Sequence, residues 1–259
     1  MSNSKITYTT YLFLSFFNFF TPENALASSA PPIKIAVASN FASTIKQLVH
    51  EYQKSNVAPI TIILGSTGKL YAQIKNGAPY DLFLSADDER TKLLEKEGHA
   101  IFGSRETYAI GRLALWASSS PSIQPINNYL ETLRQGPSQF LALANPKLAP
   151  YGKAAMEILQ NKKLMKQNQH RIVLGENINQ AFQLIKTGNA KMGIVSLSQI
   201  IALKNKISGR WWEIPQKHHS PISQEMILIK DNEKAKDFSR FLKGPKAKEI
   251  IQQHGYKTL

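Results

Sequence analysis

Short apolar, β-branched runs alternate along this chain with stretches whose apolar positions recur at the spacing of one helix face, and polar turns separate the two. Residues 33–38 form the first run, and Phe41, Ile45, Leu48, Val49 and Tyr52 mark the helix after it. Residues 60–64 repeat the unit, followed by Leu70, Tyr71 and Ile74 on one helix face. A turn at 77–81 leads to a buried strand at 82–84, and Asp87-Asp88 opens a third helix through Leu93 and Leu94 that Gly98 closes. Further strands are predicted at 112–117, 140–143, 171–174, 192–195 and 222–229. Helices are predicted around 129–133 after a Ser118-Ser-Ser-Pro121 break, beyond Gly152, through Ala181, Phe182 and Ile185, after Ser196-Leu-Ser198, and at 233–243 and 245–253.

Strand-helix alternation of this kind implies mostly parallel sheets with both faces covered. The alternation restarts midway, so the reading is α/β with two lobes and a ligand cleft between them. Residues 28–110 form the first part of lobe I, 111–220 form lobe II, and 221–259 return to lobe I.

Four strand-to-helix turns carry small or polar residues: Ser39-Asn40, Ser66-Thr67, Pro150-Tyr151-Gly152 and Asn177-Ile178. The first N–H groups of a helix lack internal partners and sit at the positive end of the peptide dipoles, so such turns hold anions. In open α/β sheets ligands also bind at the carboxyl ends of strands. The competing explanation for Ser39, Asn40, Ser66 and Thr67 is that each only caps its own helix. Gly68-Lys69 suggests a phosphate-binding loop, but Ile63 and Leu70 stand where that motif needs Gly and Ser or Thr.

Composition narrows the setting. With 259 residues, 42% hydrophobic and 19% charged, the chain is long enough for a real core. Lys5, the apolar run 11–20 and Ala25-Leu26-Ala27 read as a secretory signal cleaved after Ala27, residues 1–27, so the mature protein is exported. A membrane anchor is the alternative, but the run is well short of the roughly 20 residues a span needs. The absence of cysteine excludes disulfides, thiolate chemistry and lipid attachment through Cys. The net charge of +14 acts as a long-range field for anions or a membrane surface. Its densest patch, 161–171, has no interleaved aromatics and reads as a solvated helix face, with no nucleic-acid partner. The histidines lack metal-ligand spacing apart from the adjacent pair His218-His219, which cannot easily chelate one ion.

Ile35-Ala-Val-Ala-Ser-Asn40, Gly65-Ser-Thr-Gly-Lys-Leu70 with Gln73-Ile74, Gly77-Ala-Pro-Tyr-Asp-Leu-Phe-Leu-Ser-Ala-Asp87, Ala144-Asn-Pro146 with Pro150-Tyr-Gly152, Met192-Gly-Ile-Val195 and Leu242-Lys-Gly-Pro-Lys-Ala-Lys-Glu-Ile250 follow one another in order. Together they resemble the periplasmic molybdate-binding proteins of ABC importers, across nearly all of the mature chain. The resemblance implies a type II periplasmic-binding-protein fold and a soluble, monomeric receptor that captures molybdate or tungstate and delivers it to an inner-membrane permease. It implies no cofactor and no catalysis.

In that family hydroxyls and backbone amides hold the oxyanion, which implies Ser39, Asn40, Thr67, Tyr151 and Ile178 as ligand-binding residues. The molybdate itself would be held through Ser39, Thr67, Tyr151 and Ile178, with Ser66, Asn177 and Ser196 as weaker candidates. Ser196 departs from the family pattern, where a binding tyrosine often follows Gly-Ile-Val, and Tyr151 is the residue that would replace it from the opposite side. Asp81 reads as a structural residue that accepts hydrogen bonds from turn amides, and Asp87-Asp88 as a helix cap. Other readings stay open: a binding protein for sulfate, phosphate or a small carboxylate, an extracytoplasmic enzyme on the same fold, or the sensing module of a regulator.

Overall fold

The computed structural model describes residues 31–118, 128–135, 140–203 and 206–259. The leader at 1–27 and residues 119–121 of the break lie outside them. Two five-stranded sheets carry the described residues. The first contains β1 (Ile33–Ala38), β2 (Ile60–Gly65), β3 (Leu82–Ser85), β4 (Glu106–Gly111) and β10 (Ile222–Leu228), in the order β2-β1-β3-β10-β4. The second contains β5 (Leu113–Ala117), β6 (Leu141–Ala144), β7 (Ile172–Gly175), β8 (Met192–Ser196) and β9 (Arg210–Ile214), in the order β7-β6-β8-β5-β9. The flanking helices are α1 (Ala42–Gln53), α2 (Thr67–Lys75), α3 (Glu89–Lys96), α4 (Tyr129–Gln135), α5 (Pro150–Asn161), α6 (Met165–Asn168), α7 (Ile178–Lys186), α8 (Leu197–Leu203), α9 (Glu233–Lys243) and α10 (Pro245–Gln253).

The sheets are mixed, where the alternation predicted them mostly parallel. β1 pairs in parallel with β2 and β3, and β6 with β7 and β8, but β10 runs against both β3 and β4, and β5 against both β8 and β9. The cause is the crossover. β4 ends at Gly111 and β5 begins at Leu113, so the chain passes between sheets through Arg112 alone and enters the second sheet from the end where the parallel strands finish. β10 comes back to the first sheet in the same sense. Strands β4 and β9 have no counterpart in the predicted elements, because Glu-Thr-Tyr-Ala-Ile-Gly and Arg-Trp-Trp-Glu-Ile are edge strands without a clean period.

Each sheet buries its central strands on both faces, which is why β3 and β6 read as unbroken apolar runs. The core beneath the first sheet joins Ile33, Ile35 and Val37 to α1, α9 and α10. Within it Phe41 packs edge-on against Tyr108 and Tyr256, each at 5.2 Å between ring centres. Truncating this fully buried ring to alanine is expected to cost about 3–5 kcal/mol.

Several local expectations change. Ser39-Phe41 form a 3-10 turn ahead of α1, and neither Ser39 nor Asn40 caps that helix through its side chain. Asp88 makes no cap hydrogen bond; Asp87 does, accepting from the Arg90 amide at 3.1 Å. Helix α5 starts at Pro150, whose missing N–H suits a first turn, so Tyr151 lies inside the helix and not in a loop before it. Arg171, read as part of a solvated basic face, is buried and donates to Asn168 Oδ1 and to the Leu133 carbonyl. Asp81 accepts from the Lys34 amide at 2.7 Å and from Asn232 at 3.1 Å, which ties β1 to the start of α9. Among the described residues no helix is long and apolar enough to cross a membrane.

Candidate functional site

At the carboxyl ends of the strands a recess of ≈ 180 Å³, open solvent included, lies where the two sheets face each other. It is lined by Ser39 and Asn40 after β1, Gly65 at the end of β2 with Ser66 and Thr67 after it, Ala86 after β3, Pro150 and Tyr151 in the first turn of α5, and Ile178 in the first turn of α7. Three of the four predicted turns therefore meet with both their leading residues, and the fourth contributes Ile178. Asn177 and Ser196 stand outside the lining.

Each lining residue is fixed by local physics. Ser66 caps α2, its Oγ accepting from the Lys69 amide at 3.3 Å, as the capping explanation held. Asn177 caps α7 by accepting from the amides of Asn179 and Gln180. That geometry leaves the next N–H, on Ile178, without a partner among the described residues. The same holds for the N–H groups of Asn40, Thr67 and Tyr151. Thr67 Oγ1 accepts from the Ala86 amide at 3.1 Å, so its one proton is left to donate elsewhere. Ser39 Oγ has no hydrogen-bond partner among the described residues, although Ser39 is only 7% exposed. Gly152 lets this turn close up: a Cβ there would collide with the Ala144 carbonyl.

The electrostatics follow from what is missing. Among the described residues, no Lys, Arg, His, Asp or Glu lines the recess. The nearby charges are neutralised in pairs around its rim, with Lys69 on Glu176 at 3.2 Å and Arg90 on Asp87. Positive potential comes instead from the amino ends of α2, α5 and α7 and of the turn leading into α1. Such a site suits a compact anion that needs only donors. A protonated oxyanion brings an O–H that needs an acceptor, and among the described residues no carboxylate lines the recess to take it.

The two sides are held together across the recess. Gly68 N–H donates to the Leu148 carbonyl at 2.9 Å, Arg90 to the Lys147 carbonyl at 3.0 Å, and Ser198 Oγ to the Asn40 carbonyl at 2.9 Å. Lys153 and Glu89 approach to 3.4 Å. The arrangement is a closed cleft.

Two of the lining residues turn their side chains away from the recess. The Asn40 amide group donates to Gln224 Oε1 at 2.7 Å and to Tyr256 OH at 3.0 Å, behind the recess, so Asn40 offers the recess its backbone N–H. The Tyr151 phenol also turns away from it: Asn40 Nδ2 lies 3.5 Å from its oxygen, and Ser196 and Tyr256 flank it. Gly111 makes room for this phenol, since a Cβ there would collide with it. Burial pushes the Tyr151 hydroxyl well above its ordinary pKa and raises that of Tyr256, so both stay protonated. Ser196 hydrogen-bonds Ser198 at 2.7 Å in the same cluster. Sequence reasoning missed Gln224, Ser198 and Tyr256; nothing in their local pattern distinguishes them from ordinary strand, helix and tail residues. Ala86 was within reach, because it sits in the Ser-Ala-Asp segment that ends β3.

Comparison with known proteins agrees with this architecture. The family profile of bacterial extracellular solute-binding proteins matches residues 33–257. The molybdate-binding protein ModA of Azotobacter vinelandii is 39% identical over 235 residues, covering 90% of this chain and 92% of its own. The molybdate-binding protein ModA of Rhodobacter capsulatus is 37% identical, covering 90% and 91%. The solved structure of the Azotobacter vinelandii periplasmic molybdate-binding protein superposes with a TM-score of 0.79 at 36% identity, covering 88% of this chain and 99% of that one. From the paired sheets, the recess at the strand ends and these matches, the chain belongs to the bacterial extracellular solute-binding proteins and, among them, to the ModA family.

Proposed function

We propose that this chain is the receptor of an ABC importer that captures molybdate, with tungstate as an equal competitor, and hands it to the membrane permease. The observation that carries the reading is a buried recess furnished with hydrogen-bond donors and, among the described residues, lined by no charged side chain. The proposed donors are the hydroxyls of Ser39 and Thr67 and the N–H groups of Asn40, Thr67, Tyr151 and Ile178. Hydrogen bonds to a charged group contribute about 1.5–3 kcal/mol each, so about six of them can offset the desolvation of a tetrahedral dianion.

The donors come from both sides of the cleft, so the full set exists only when it is shut. Binding then shifts the open-closed equilibrium toward the closed form, which is the form that docks on the permease. Molybdate and tungstate are fully deprotonated at neutral pH, which suits a donor-only site, whereas hydrogen phosphate carries a proton it must place. Sulfate is deprotonated but smaller, and donors it cannot reach stay buried and unpaired at about 1–3 kcal/mol each. The reading includes export with cleavage after Ala27, a periplasmic location, a monomeric state, and no cofactor or nucleic-acid partner.

A thermal-shift and calorimetry panel of molybdate, tungstate, chromate, sulfate and phosphate on the mature protein tests it. At a hundred times its dissociation constant a true ligand adds about 2.7 kcal/mol of stability. Molybdate and tungstate should do so and phosphate should not; stabilisation by phosphate or sulfate alone would overturn the reading.

A further inference from the structure

Behind the recess lies a buried polar cluster that touches no ligand position, yet it is bonded to the peptides on both sides. Two adjacent residues at the start of α8 reach in opposite directions. Ser198 Oγ donates to the carbonyl of Asn40, which follows β1 of the first sheet, at 2.9 Å. Gln199 Nε2 donates to the carbonyl of Ile178, in the second sheet's α7, at 3.3 Å. Both are themselves oriented. Ser196 Oγ bonds Ser198 Oγ at 2.7 Å, and the Ser196 amide donates to Gln199 Oε1 at 3.2 Å. The residue between them in sequence, Leu197, donates its N–H at 2.9 Å to the carbonyl of Arg112, the single residue by which the chain crosses from the first sheet to the second. One short turn is thus pinned to the crossover and to a peptide on each side of the cleft.

Tyr256 completes the arrangement from the C-terminal tail. Its hydroxyl accepts from Asn40 Nδ2 at 3.0 Å and donates to the Asn40 carbonyl at 2.9 Å, closing a ring around that residue. Gln224, held by its own bond to the Ile222 carbonyl at 3.1 Å, takes the other Asn40 amide hydrogen. All of these side chains are buried, Gln224 and Ser196 to within 1% of completely. A polar cluster so enclosed is bonded at nearly every atom or not built at all.

Resting on the oxyanion reading, we infer that Ser198, Gln199 and Tyr256 are positioning residues that lock the Asn40 and Ile178 peptides in register with the crossover when the cleft shuts. They set how long a captured oxyanion stays without touching it. The inference also accounts for Ser196: a small hydroxyl is needed there to orient Ser198, in a space that a tyrosine ring would fill.

Stopped-flow kinetics with sodium molybdate on the mature protein, Ser198→Ala, Tyr256→Phe and Ser198→Thr provide the test. Tyr256→Phe keeps the ring against Phe41 and removes only the hydroxyl. Both hydroxyl-deleting variants should raise the dissociation rate about three- to tenfold, the scale of one hydrogen bond, with the association rate unchanged, and should also lower the melting temperature of the ligand-free protein because the bonds they remove are buried. Ser198→Thr should restore the slow dissociation. Dissociation at the wild-type rate in both deletions, or a drop in ligand-free stability with the rate unchanged, overturns the inference while leaving the function standing. If wild-type protein fails to bind molybdate, the functional reading and the inference fall together. Should Ser198→Ala not fold, Tyr256→Phe alone decides.

Discussion

Ser39 and Thr67 both present a hydroxyl to the recess, but the structure separates what each does for the empty protein from what each does for a ligand. Ser39 Oγ has no partner among the described residues, so Ser39→Ala removes a donor to the oxyanion and nothing else. The expected loss is one hydrogen bond to a charged group, about 1.5–3 kcal/mol, or roughly 10- to 150-fold in dissociation constant. The melting temperature without ligand should stay at the wild-type value. Thr67→Val is nearly isosteric and removes the same kind of donor, so its affinity loss should be similar. It also strips the acceptor from the Ala86 N–H, which is buried and bonded at 3.1 Å. An orphaned buried N–H costs about 1–3 kcal/mol, and for a domain of this size roughly 2–4 °C of melting temperature per kcal/mol. Thr67→Val should therefore melt about 4–8 °C lower without ligand in the middle of that range. Isothermal titration with sodium molybdate and scanning calorimetry of the ligand-free proteins measure the two effects. Wild-type affinity in Ser39→Ala, or an unchanged ligand-free melting temperature in Thr67→Val, would refute the reasoning.

Other consequences are sharper in sign than in size. Lys69→Ala breaks the cross-cleft pair with Glu176, but both side chains are substantially exposed, so molybdate affinity should change by no more than about fivefold in titration calorimetry. Gly152→Ala forces a Cβ onto the Ala144 carbonyl and displaces the Tyr151 amide, so both melting temperature and affinity should fall. Among the described residues Tyr151 is the one titratable residue on the recess lining, and burial keeps it neutral, so affinity measured from about pH 6 to 9 should be flat. Burial lowers the His219 pKa in the folded protein, so the unfolded chain binds the extra proton first. The stability that His219 contributes by staying neutral is present above the unfolded value near about 6.5 and declines as pH falls below it. His219→Gln should flatten that part of the acid limb in urea titrations between about pH 7 and 5.

How much of this was legible in the sequence depends on the range of the interaction that fixed each feature. Ser66, Thr67 and Ile178 were readable because a strand run, a small polar turn and a helical period stand next to one another, and helix capping acts over three residues. Strands β4 and β9 were not, because an edge strand needs no apolar alternation, and their partners lie far along the chain. The mixed sense of the sheets was equally hidden, since it follows from the crossover at Arg112 and not from any local pattern. The side chains of Asn40 and Tyr151 illustrate the same limit. Asn40 is turned from the recess by Gln224 and Tyr256, 184 and 216 positions away. The direction of the Tyr151 phenol depends on the space left by Gly111 on another sheet. The turns that supply backbone donors were local enough to read, while the cluster that aims them was assembled from distant segments.

A crystal of the mature protein grown with sodium tungstate, with anomalous data collected at the tungsten edge, tests the central claim most directly. A single strong peak should lie in the recess between Ser39, Thr67, Tyr151 and Ile178, with every oxygen of the anion facing an N–H or O–H and none facing a Lys or Arg side chain. A peak held by lysines or arginines on the basic surface, with the recess empty, would contradict it.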